Sequence, residues 1–84
     1  MMIVHIRLAE PFWRSVGKRD LQVELGKHAN LGELLDMLQK RYPALSAELE
    51  EETYHIFINN TENGLDTLLQ EGDRVHIVWP IAGG

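Results

Sequence analysis

The last five residues, Pro80-Ile81-Ala82-Gly83-Gly84, are the part of this sequence best suited to covalent chemistry. A terminal carboxylate becomes an acyl donor once it carries a good leaving group. To acquire one it must reach deep into another protein's active site. Glycine has no Cβ, so Gly83 and Gly84 can pass close to the walls of such a site. Pro80 restricts the backbone where a strand would end and aims the tail away from the domain. There is no cysteine, so the chain offers no thiol nucleophile, thiolate ligand or disulfide. Taken alone, a Gly-Gly end is equally what a frayed terminus leaves.

The other chemistry-bearing residues are histidines. His5, His55 and His76 each fall on the polar face of an expected strand. Zinc would need three or four close ligands in a tetrahedral array. No carboxylate is placed to support one, so the rings read as solvated and no metal site is assigned. Histidine titrates near pH 6.5, so these rings would weaken partner binding at acid pH. Ile3, Phe57 and Val78 share the same outward positions and form a candidate partner-binding surface. Glu50-Glu51-Glu52 reads as a solvated face. Lys18-Arg19 is a turn pair too small for nucleic acid. No phosphate loop, catalytic triad or paired-carboxylate site is visible.

Period-2 and period-3.6 patterns give the elements that position these residues. Met2, Val4, Ile6 and Leu8 alternate with Ile3, His5 and Arg7 in a first strand. Pro11 to Val16 suits a short helix with Gly17 as its left-handed cap. Adjacent Phe12 and Trp13 cannot both point fully inward on it. Leu21, Val23 and Leu25 mark a second strand. Asn30 and Glu33 make a capping box. Leu31, Leu34, Leu35, Leu38 and Tyr42 then form one helical stripe, with Lys40 and Arg41 in the last turn and Pro43 stopping it. Ala44 to Glu52 suits a short surface helix or an ordered loop. Tyr54, Ile56 and Ile58 mark a third strand, followed by turn residues to Gly64. Leu65, Leu68 and Leu69 are expected to pack on the core. Glu71-Gly72-Asp73 turns the chain into a last strand, with Val75, Ile77 and Trp79 on one side. The order of strand, strand, helix, strand, strand predicts an α+β domain with the helix on one sheet face.

At 84 residues the expectation is one domain over 1–84, with 80–84 as a projecting tail. Eight basic residues against thirteen acidic ones give a net charge of −5. Without a basic run, a nucleic-acid footprint is excluded. An acidic balance serves solubility or meets a basic protein partner. No run approaches the ~20 apolar residues of a membrane helix, and no signal-peptide pattern opens the chain. A cytoplasmic protein without a membrane or nucleic-acid partner is expected.

The segment from Leu69 to Gly84 resembles the C-terminal signature of the MoaD/ThiS sulfur carriers: a Gly-Asp turn, an apolar strand, a proline and a terminal Gly-Gly. Ile58-Asn59-Asn60 and Gly64-Leu65-Asp66-Thr67-Leu68 resemble that family's third strand and following turn. The resemblance covers nearly the whole chain and implies the β-grasp, or ubiquitin-like, fold with a mixed sheet. Length and the Gly-Leu-Asp-Thr segment look closer to MoaD, the small subunit of molybdopterin synthase, than to ThiS. Trp79 departs from the pattern, since a proline is usual there.

The resemblance implies a cycle run by partners. A ubiquitin-activating-enzyme-like adenylyltransferase binds the tail and ATP. Gly84 becomes an acyl-adenylate, a persulfide from a sulfurtransferase displaces AMP, and a thiocarboxylate remains. The tail then enters the large subunit of molybdopterin synthase and gives sulfur to a pterin precursor. Gly84 carries the sulfur, Gly83 gives access, and Pro80, Ile81 and Ala82 thread. The chain binds no cofactor and is no enzyme by itself. Because it has no cysteine, a covalently carried sulfur cannot be a cysteine persulfide. Three alternatives stand beside this: a ubiquitin-like modifier forming isopeptide bonds, a sulfur carrier for thiamin or another pathway, and an interaction module with an idle tail.

Overall fold

The computed structural model describes residues 1–10, 12–51 and 54–78. Five strands and three helices follow in the order β1 (Met2–Leu8), α1 (Phe12–Val16), β2 (Asp20–Leu25), α2 (Leu31–Arg41), α3 (Pro43–Glu51), β3 (His55–Ile58), β4 (Thr61–Glu62) and β5 (Arg74–Val78). The strands form one mixed sheet in the order β2-β1-β5-β3-β4. β1 pairs antiparallel with β2 and parallel with β5, and β5 pairs antiparallel with β3. The parallel pair at the centre requires a long crossover, which α2 and α3 supply. This is the α+β, β-grasp architecture expected from the sequence.

Strict alternation buries one face of β1: Met2, Val4, Ile6 and Leu8 are inside, and Ile3, His5 and Arg7 are outside. Leu31, Leu34, Leu35 and Leu38 of α2 join those residues in one core with Val75 and Ile77 of β5. The α2 stripe starts where it does because Asn30 Oδ1 accepts from the Glu33 N–H at 2.8 Å while the Glu33 carboxylate accepts from the Asn30 N–H at 3.3 Å. Proline fixes the other end. α2 stops at Arg41, and Pro43 opens α3 at once, where a missing N–H costs nothing. α3 buries Leu45 and Leu49, so it is more than a surface turn. Phe12 is fully buried and meets Tyr54 edge-on, with ring centroids 6.4 Å apart, while Trp13 is half-buried.

Two details differ from the expectations above. β4 is an additional strand, joined to β3 through Asn59-Asn60, with φ of 49° and 73°. Two successive left-handed residues make the tight hairpin that asparagine tolerates. Leu65 and Leu68 do not pack inside; they are 47% and 59% exposed, and only Leu69 is buried. The segment uses its backbone instead: the Thr67 and Leu65 carbonyls accept from the Leu31 and Gly32 N–H groups, each at 3.0 Å. Those donors belong to the first turn of α2, where no intrahelical partner exists.

Candidate functional site

The tail residues Pro80, Ile81, Ala82, Gly83 and Gly84, with Trp79 before them, lie outside the described residues. The structure does describe how the strand that leads into them is held. β5 occupies the centre of the sheet, between β1 and β3, so both its edges are paired. The Gly72-Asp73 turn anchors its start. Gly72 has φ +82°, a conformation side chains rarely tolerate, and its N–H donates to the Ile3 carbonyl at 2.8 Å.

Asp73 is buried, and its carboxylate and carbonyl together tie the turn to Asn59 and to β1. Oδ2 accepts from the Gln70 N–H at 2.8 Å, and Oδ1 accepts from Asn59 Nδ2 at 3.1 Å. Asn59 Oδ1 accepts in turn from the Arg74 N–H at 3.1 Å. The Asp73 carbonyl takes the His5 N–H at 2.9 Å. The Gly-Asp pair of the sequence signature therefore has a structural job. It fixes the register of β5, the strand that precedes the tail in the sequence.

The open face of the sheet carries the remaining candidates. Phe57 pairs with His76, and Val78 pairs with His55, so Phe57 and Val78 are diagonal neighbours on adjacent strands, both half-buried. Ile3 is 39% exposed but stands apart from them. It lies four residues before Arg7, the β1 residue level with His76, hence about 13 Å away along the strand. The structure brings together two of the three proposed surface residues.

The three histidines do occupy neighbouring strands, stepping from β1 through β5 to β3. Each has a different environment. His5 Nδ1 lies 3.3 Å from Gln22 Nε2, and His55 Nδ1 lies 2.5 Å from Glu62 Oε2. Partial burial, with a smaller push from the Arg7 guanidinium, holds the His76 pKa below its ordinary 6.5, while Asp20 partly offsets this. Among the described residues no group of three or more histidines and carboxylates is arranged to hold a metal ion.

One feature of this face is invisible in the linear sequence. His5 is level with Arg74, and Arg7 is level with His76, which places two guanidinium groups and two imidazoles at the rim of one depression. Local patterning cannot reveal it, because the juxtaposition depends on β1 and β5 lying side by side across most of the chain's length.

Comparison with known proteins gives this arrangement a family. The model of the ThiS family matches residues 6–84. No curated protein sequence matches the chain significantly. Among solved structures, SAMP1 from Haloferax volcanii superposes with a TM-score of 0.84 at 23% identity, covering 98% of this chain and 99% of that one. A chain from the complex of subunits 1 and 2 of the molybdopterin-converting factor from Helicobacter pylori gives 0.73 at 25% identity, covering 99% and 100%. The BexX/CysO complex of Amycolatopsis orientalis gives 0.74 at 22% identity, covering 96% and 99%. Two of these relatives are thus seen in complex with a partner. Among the described residues no helix is long and apolar enough to cross a membrane. With a family match over nearly its whole length, this chain belongs to the ThiS family of ubiquitin-like sulfur carriers, small proteins that are generally not catalysts on their own.

Proposed function

We propose that this chain carries sulfur as a thiocarboxylate on Gly84, as the small subunit of a molybdopterin synthase. One observation carries the reading: the family match runs through Gly84 and so takes in the Gly-Gly end. The 25% identity to a chain of the molybdopterin-converting factor complex supports the choice of pathway.

The chemistry needs little from the fold beyond delivery. A Gly84 carboxylate oxygen attacks the α-phosphorus of ATP on a ubiquitin-activating-type adenylyltransferase, and pyrophosphate leaves. The terminal sulfur of a sulfurtransferase persulfide then attacks the acyl-adenylate and AMP leaves. A second thiol cleaves the resulting acyl disulfide and frees the thiocarboxylate. Gly83, Ala82, Ile81 and Pro80 form the thread that enters each partner. Phe57 and Val78, beside the start of that thread, are the apolar contacts on the sheet. Ile3 would touch only a partner that extends along β1.

The pathway is tested by reconstitution. The thiocarboxylated chain is mixed with a molybdopterin synthase large subunit and the pterin precursor, and dithiolene product is measured. Product in proportion to the thiocarboxylate consumed is expected. Efficient consumption only by a thiamin-thiazole system would reassign the pathway. A second reading, a protein modifier, draws on the likeness to SAMP1, described as a small archaeal modifier protein. It predicts higher-mass lysine conjugates in cell extract that vanish when Gly84 is removed.

A further inference from the structure

The chain as a whole is acidic, yet the two central strands of its open face carry cations. Arg7 and His5 on β1 sit level with His76 and Arg74 on β5. Carboxylates are confined to the edge strands, with Asp20 and Glu24 on β2 and Glu62 on β4. His5, Arg7, Arg74 and His76 line an open depression of about 600 Å³, which Asp20, Gln22 and Asn60 also line.

Most of the donors there are unspent. A guanidinium has five N–H donors. Arg7 uses only Nε, in a single contact of 3.0 Å to Asp20 Oδ1, and both side chains are about two-thirds exposed. A pair so exposed contributes only about 0–1 kcal/mol, so an incoming carboxylate can share or replace Asp20. The Arg74 guanidinium has no ion-pair or hydrogen-bond partner among the described residues. Forked donors of this kind fit a carboxylate in two-point contact.

Spacing indicates what brings the carboxylates. The His5–Arg74 row and the Arg7–His76 row are two residues apart along the strands, or about 6.6 Å. An extended peptide presents alternate side chains at the same repeat. A phosphate group would concentrate its charge at one point, beside Asp20. We propose that this face is a docking surface for a protein partner that presents an extended acidic segment, with carboxylates at alternate positions meeting Arg74 and Arg7.

The surface is continuous with Phe57 and Val78 on the same face, and β5 runs directly toward the tail. A partner that holds the tail, if the carrier reading is right, approaches along these residues. The docking itself does not depend on Gly84. Its pH dependence has a definite sign. His76 faces Arg7 and Asp20, with Phe57 between it and Glu62, and His5 faces Gln22 and Arg74. Because burial and, less strongly, Arg7 disfavour the His76 cation, a bound carboxylate makes its protonation easier. Binding takes up a proton, so affinity rises as the pH is lowered into the range where His76 titrates. This is the opposite of the weakening that the histidines alone suggest.

The test is amide chemical-shift titration of the full chain with a decapeptide carrying glutamate at alternate positions. Its glutamine counterpart and inorganic phosphate serve as separate arms. The expected result is saturable shifts at His5, Arg7, Arg74 and His76 with the glutamate peptide alone. Arg74→Ala and Arg7→Ala should each weaken binding about fivefold or more. His76→Gln should flatten the rise in affinity at acid pH. The chain lacking Gly83 and Gly84 should bind equally well, so failure of the tail chemistry and failure of this site are read separately. Equal binding of the glutamine peptide, saturation by phosphate at the same residues, or indifference to Arg74→Ala would overturn the proposal.

Discussion

Deleting Gly83 and Gly84 is expected to reduce adenylation by a cognate activating enzyme to background, while the melting temperature stays within a few degrees of the parent chain. The two halves of this result have separate causes. Adenylation needs the Gly84 carboxylate itself, at the end of a thread slim enough to reach ATP in another protein. Stability rests on the apolar core that β1, α2 and β5 share, to which a glycine has no side chain to add. Surface changes away from the core stay within about 0.5 kcal/mol, which in a domain of this size corresponds to only a few degrees. ATP–pyrophosphate exchange and a thermal melt on the same samples check both halves. A truncated chain that is still adenylated at the parent rate would remove Gly84 from its assigned role.

Asp73→Ala is expected to have the largest effect on stability of any single polar substitution outside the core, about 3 kcal/mol. The carboxylate accepts two hydrogen bonds, from Gln70 at 2.8 Å and Asn59 at 3.1 Å, and is almost fully buried. Hydrogen bonds to a charged group contribute about 1.5–3 kcal/mol each, and buried donors left without an acceptor add to the loss. At roughly 4–8 °C per kcal/mol, the melting temperature should fall by about 12–24 °C. Asn59→Ala removes one of those two bonds as well as the bond from the Arg74 N–H, and it places alanine at φ 49°, so it should lower the melting temperature too. If Asp73→Ala melts within a few degrees of the parent, the turn does not anchor β5 as described.

The contrast between these two substitutions separates roles that the sequence presents as one motif. Gly72-Asp73 and Gly83-Gly84 belong to the same stretch, and both look like signature. The structure shows that the first pair holds β5 in place through Ile3, His5, Asn59 and Gln70. The second pair, under the proposed function, acts only with a partner present.

Much of the fold is legible in the sequence because local signals agree with the global arrangement. α2 announces itself three ways: the Asn30–Glu33 capping box, the leucine stripe and the proline that ends it. β1 is legible because every inward position is apolar and every outward one but Ile3 is polar. β4 escapes for a physical reason. Two residues are too short for a periodic pattern, and the usable signal is Asn59-Asn60 between strand-like flanks, the composition of a two-residue hairpin. Leu65 and Leu68 mislead because apolar residues usually seek the core. Here the strap's backbone is committed to the first turn of α2, and two of its leucines turn outward.

The candidate site is legible in the opposite proportion. The tail is identifiable as a motif from the residues alone, because its chemistry is written in consecutive positions. The sheet face is not. His5 and Arg74 are separated by most of the chain and meet only because the crossover brings β5 parallel to β1. In the sequence the histidines stand out as potential metal ligands, yet in the fold His5 and His76 stand level with Arg74 and Arg7, and His55 meets Glu62.

The central claim is that Gly84 leaves its partner as a thiocarboxylate. Intact mass of the chain after incubation with an activating enzyme, ATP and a persulfide donor tests it most directly. The predicted result is a mass increase equal to one oxygen replaced by one sulfur, localised to the C-terminal peptide and lost without ATP. An unchanged mass, in a sample where the enzyme demonstrably forms the Gly84 adenylate, would contradict it.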